Sequence, residues 1–168
     1  MKEGLTRIDI LRNYVDKMLL DVSNDELRRN GYVHLYSVGM FAALIALKRG
    51  FDPELAEMAG ILHDYYKYKE NDRTDHAHRG AILVRQLLNE LNITTTEETE
   101  MIYSAIFNHR NKEDVGSDFD EIIKDADVLQ HWLQNPRELF FKEGVRIERI
   151  SCEFGLNNDC KKEECTNE

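Results

Sequence analysis

Cysteine, proline, glycine and tryptophan are scarce in this chain of 168 residues, which holds three, two, nine and one of them. Three cysteines, Cys152, Cys160 and Cys165, match neither a CxxC pair nor a zinc-finger array, and they read as reduced cytosolic thiols. Few helix breakers and no apolar alternation at a period of two leave little room for strands. Basic charge is also in deficit. With 32 acidic against 22 basic residues the formal net charge is -10, which argues against a nucleic-acid backbone or an anionic membrane as the main partner. No apolar run is long enough to suggest a membrane span, and the opening MKEGLTRIDI lacks the basic-then-apolar order of a secretory signal. The expected location is the cytoplasm.

What is present is apolar residues recurring at three and four. Ile8, Leu11, Val15 and Leu19 mark a first helix ending near Asp21. A second starts after Ser23 or Asn24 and runs to Gly50, with Val38, Phe41 and Ile45 facing inward. Asp52 and Pro53 open a third, expected to continue to about Tyr66. A fourth spans about Asp75 to Leu91, and Thr95 with Glu98 forms a capping box for a fifth carrying Ile102, Ala105, Ile106 and His109. Ser117 with Asp120 starts another, through Ile122, Ile123, Ala126 and Leu129 to Leu133, and Pro136 opens a last amphipathic segment. The expectation is an all-α, single-domain helical bundle over residues 1–156, with a polar tail over 157–168.

Six histidines, at 34, 63, 76, 78, 109 and 131, fall on five of these helices, several on inward faces. His63 and Asp64 end the apolar run MAGIL, where a buried carboxylate asks for a cation. A single inward histidine is more often a hydrogen-bonded core residue than a ligand, and Asp127 alone reads as a solvated acid, with Asp125 still more so. Helical bundles, however, build metal sites from side chains projecting inward from facing helices. The ordered set His34, His63 with Asp64, His76, His109 and Asp127 is hard to credit to coincidence.

That order, carried by YVHLYSVGM, AGILHDYYKYK, DHAHRGAILV and AIFNHR, resembles the HD-domain superfamily of metal-dependent phosphohydrolases. Within it the chain looks most like the small bacterial hydrolases that cleave diadenosine tetraphosphate symmetrically, although Asp127 here leads into VLQHW where those carry an isoleucine, glutamate and proline run. The resemblance implies an HD-domain fold and two divalent metal ions. His34, His63, Asp64 and Asp127 would surround one, and His76 and His109 the second, with Asp64 bridging. His76 is preferred to His78 because it stands directly before the A-x-x-G-A-type stretch.

Nitrogen and carboxylate donors suit iron or manganese, with zinc, cobalt or nickel as alternatives, better than magnesium or calcium. Ions so placed lower the pKa of a water for attack on phosphorus, with Asp64 and Lys67 as the catalytic candidates. Lys67, on the His63 side of its helix, is the first candidate to hold a substrate phosphate, and Arg79 and Arg110 the next. His131, four residues after Asp127, is a candidate pocket residue, and Tyr65, Tyr66 and Tyr68 a candidate stacking surface. The expected partner is a small phosphate substrate, a nucleotide before other phosphates; a homodimer is left open. A 5'-nucleotidase-like phosphomonoesterase, a non-catalytic HD module that binds metal or nucleotide, and a plain helical interaction domain are the competing readings.

Overall fold

In the computed structural model, residues 4–136 and 141–156 are described, with the side chains of 141 and 142 set aside. The expected tail over 157–168 lies outside them. Among the described residues there are eight helices and no strand: α1 Arg7–Asp21, α2 Asp25–Arg49, α3 Pro53–Leu62, α4 Tyr65–Glu70, α5 His76–Leu91, α6 Thr96–Asn108, α7 Asp118–Gln134 and α8 Phe141–Glu153. The fold is all-α, as the sequence predicts.

Local chemistry sets the boundaries. Thr6 with Asp9, Thr95 with Glu98 and Ser117 with Asp120 each form a capping box, satisfying first-turn N–H groups at the starts of α1, α6 and α7. Asn24 caps α2, and Gly50 ends it in the left-handed region at φ 77. The expected third helix is broken in two. Asp64, at φ -110 and ψ 14, leaves helical geometry, so α3 stops at Leu62 and α4 begins at Tyr65. Neighbours on a straight helix diverge by about 100°, and the break lets His63 and Asp64 both turn inward.

α2 runs through the centre, packed along α3 and α7, with α5 and α6 beside them. Its buried face carries His34, Leu35, Val38, Ala42 and Ile45. α2 and α3 meet backbone to backbone. A Cβ on Gly60 would stand 2.7 Å from Gly39 Cα and 2.9 Å from Val38 O, so glycine is what permits the approach that brings His63 to His34. An 18-residue window of α2 has a mean hydropathy of 1.3, enough by length and composition to cross a membrane, which corrects the expectation that no segment reaches that level. In this fold the same helix supplies core and site residues.

Two further expectations fail. Asp125 is not solvated but fully buried. It accepts from Arg146 Nη1 at 2.8 Å, Arg49 Nη2 at 2.7 Å and Arg149 Nη2 at 2.7 Å, because α8 packs on α7 and brings two arginines over it. Cys152 is half of a disulfide bond, so the expectation of reduced thiols does not hold for it.

Candidate metal centre

Four imidazoles converge on two carboxylates at the meeting of α2, the α3–α4 break, the α5 N-terminus, the α6 C-terminus and α7. Each ring is aimed by a hydrogen bond from its far nitrogen. Nδ1 of His34 bonds Gln130 Oε1 at 2.8 Å, that of His63 bonds Gly60 O at 2.7 Å, that of His76 bonds Arg73 O at 3.0 Å and that of His109 bonds Ile106 O at 2.6 Å. A carbonyl oxygen only accepts, so each Nδ1 carries the proton and each Nε2 presents a lone pair inward.

The inward atoms sort into two groups that share Asp64. Its Oδ2 lies 3.2 Å from His34 Nε2 and 3.6 Å from His63 Nε2, while its Oδ1 lies 3.0 Å from His76 Nε2 and 3.6 Å from His109 Nε2. Asp127 Oδ1 closes the first group at 3.6 Å from both His34 and His63. Donors at about 2.1 Å from a common ion stand roughly 3.0–3.4 Å apart in octahedral or tetrahedral arrangement; the 3.0 and 3.2 Å spacings fall in that range and the 3.6 Å ones just beyond it.

The interior chemistry also calls for a cation. The Nε2 atoms of His34 and His63 face each other at 3.0 Å with no proton between them in the tautomers just assigned. Asp64 Oδ1 and Asp127 Oδ1 are buried without a hydrogen-bond partner. Burial pushes the His63 imidazole down to about 4. Burial opposes ionisation of Asp127, but the Lys112 ammonium beside it outweighs that and holds its carboxyl well below the ordinary carboxylate range. Asp64, to which Lys67 donates, is displaced in the same direction. Neutral nitrogens and ionised oxygens are the states that bind metal. His34, His63 and Asp64 could hold one ion, and Asp64, His76 and His109 another.

The HD domain pattern matches residues 31–132, more than half the chain and the stretch that holds all four histidines and both aspartates. The chain belongs to the HD-domain family. Two curated relatives are both named Ribonuclease Y. The protein from Geobacter sulfurreducens is 30% identical over 136 residues, covering 77% of this chain and 24% of the relative. That from Campylobacter hominis is 29% identical over 128 residues, covering 73% and 23%. The chain thus spans about a quarter of the length of the curated relatives it matches. Neither is a tetraphosphate hydrolase by name. No solved structure gives a significant match.

This HD domain opens its centre to a cavity of about 250 Å³ lined by Asp64, Lys67, His76, His109, Arg110, Lys112, Asp127, His131 and Glu143. Of the expected substrate residues, Lys67, Arg110 and His131 reach it. Arg79 does not, bonding Asp72 at 2.8 Å and covering the Tyr66 ring. Lys67 donates to Asp64 Oδ2. His131 stacks on His34 at 5.4 Å and stands 3.5 Å from Asp127 Oδ1, with Glu143 Oε1 at 3.4 Å from its other nitrogen. His78 stays out, paired with Asp75 at 2.7 Å. Tyr65 and Tyr68 are buried in the core cluster.

Three residues of the HD domain site were missed from sequence. Lys112 donates to Asp127 Oδ2 at 2.7 Å, Gln130 orients His34, and Glu143 reaches His131 from α8. Gln130 had a usable signal, since it follows Asp127 by three positions on one helical face. Lys112 sits in a loop and had none.

Proposed function

We propose that this HD domain is a divalent-metal phosphohydrolase acting on a nucleotide or a related phosphate ester or anhydride. His34, His63, Asp64 and Asp127 hold one ion, Asp64, His76 and His109 a second, with iron or manganese as the expected metals. One observation carries the reading: the two oxygens of Asp64 face two separate histidine pairs. Divalent ions held there supply Lewis acidity, which activates water and offsets charge on a phosphoryl group.

The chain's own residues do the rest. Gln130 and the carbonyls of Gly60, Arg73 and Ile106 keep the imidazoles in the binding tautomer. Lys67 and Lys112, at the cavity wall, are placed to neutralise phosphate oxygens. A second reading, cleavage of RNA phosphodiesters, is favoured by the Ribonuclease Y relatives. The net charge of -10 favours the small-molecule reading.

Hydrolysis by the manganese- or iron-loaded protein separates them, using dinucleoside polyphosphates, nucleoside mono-, di- and triphosphates, phosphomonoesters and short RNA, with Asp64→Ala alongside. Cleavage of a small phosphate by wild type alone supports the first reading, and two nucleoside diphosphates as products would specify symmetrical tetraphosphate hydrolysis. Cleavage of RNA alone favours the second. Loss of all activity despite full metal loading would leave a binding module.

A further inference from the structure

The cavity beside the metal centre holds a balanced set of charges before any metal is counted. Asp64, Asp127 and Glu143 face Lys67, Lys112 and Arg110. Lys67 is bonded to Asp64, Lys112 to Asp127, and Glu143 pairs with His131. Arg110 is different. It is exposed at the cavity wall, and no hydrogen bond or ion pair engages its guanidinium among the described residues. It directly follows His109, so the turn that places a candidate ligand also places this free cation. Two residues on, Lys112 is anchored, its carbonyl accepting from Arg146 Nε at 2.9 Å.

Two consequences follow from charge and size. Because the cavity is already neutral, each divalent ion adds two uncompensated positive charges, and a ligand matching that surplus is a polyanion. A volume of about 250 Å³ lies below the ~300–1,000 Å³ of pockets that enclose a whole drug-sized ligand, so the cavity is sized for phosphates with the remainder outside. Arginine's planar fork binds two oxygens of one phosphate at once. We infer that Arg110, with Lys112 beside it, forms a second phosphate subsite, making the preferred ligand a run of at least two linked phosphates rather than a single phosphate ester. This rests on the metal-phosphohydrolase reading above.

Calorimetric titration of the manganese-loaded full chain with methylenediphosphonate and methylphosphonate, neither of which can be hydrolysed at a P–O–P link, tests the subsite without reference to turnover. Wild type should bind the diphosphonate at least about tenfold tighter than the monophosphonate. Arg110→Gln should remove most of that advantage while leaving methylphosphonate within about twofold, and Arg110→Lys should fall between, keeping charge but losing the fork. Since the Arg110 guanidinium has no partner among the described residues, thermal melting should not move in either variant. Equal weakening of both ligands, or of neither, would overturn the second subsite and leave the phosphohydrolase reading standing. Failure of wild type to bind either phosphonate would sink both.

Discussion

Asp125→Ala should destabilise the protein by about 3 kcal/mol, the lower part of the 3–5 kcal/mol range for breaking a buried ion pair. Asp125 is 0% exposed and serves three arginines. Its loss is cushioned because Arg146 keeps Glu121 Oε2 at 2.7 Å and Arg49 keeps Glu153 Oε2 at 2.7 Å. Arg149, half exposed, adds little through solvent-screened charge. In a chain of 168 residues each kcal/mol moves the melting temperature by roughly 2–4 °C, so a drop of about 6–12 °C is expected. Urea unfolding gives the free energy directly, and Asp125→Asn, which retains acceptor geometry for one arginine, should lose less. A loss below about 1 kcal/mol for the alanine variant would refute the claim that this carboxylate holds α8 on α7.

Three further outcomes follow from the same structure. His63 has a folded pKa pushed from 6.5 down to about 4, so the unfolded chain binds its proton first as pH falls, and metal-free protein should lose roughly 3 kcal/mol between pH 6.5 and 4. His76 and His131 are raised, which places their contributions above that window, and an unchanged urea midpoint between pH 6.5 and 4.5 would contradict the burial of a neutral His63. Gln130→Leu removes the acceptor that orients His34 and should weaken metal binding about 10–100-fold in a chelator competition, whereas unaltered affinity would deny Gln130 that role. Gly60→Ala places a methyl against the α2 backbone and should cost about 1–3 kcal/mol by denaturation, with no loss if α2 and α3 can part freely.

The helices were legible because their signals are local. The boxes Thr95 with Glu98 and Ser117 with Asp120, the Asn24 cap and the Gly50 stop act within a few residues, and each appears where the sequence places it. The break at Asp64 was not legible, since no proline or glycine interrupts the stretch from Ile61 to Tyr66 and the change in backbone falls between two side chains that both face the site. The structure brings His34, His63, Asp64, His76, His109 and Asp127 together, the set that the family resemblance, and not periodicity, picked out. Asp125 shows the opposite case. Its neighbour Asp127 faces the cavity while Asp125 faces α8, and only the arginines of that later helix, Arg146 and Arg149, reveal that it is buried. The VLQHW departure after Asp127 was the one readable sign about substrate, and the relatives found carry the name Ribonuclease Y.

The central claim is that Asp64 joins two histidine pairs into one divalent-metal centre, and manganese titration of the metal-free protein by calorimetry tests it most directly. Two ions per chain for wild type, one when His76 and His109 are both replaced by alanine, and severe weakening of both sites in Asp64→Ala are the predicted results. Binding that is absent in wild type, or indifferent to Asp64, would contradict the account.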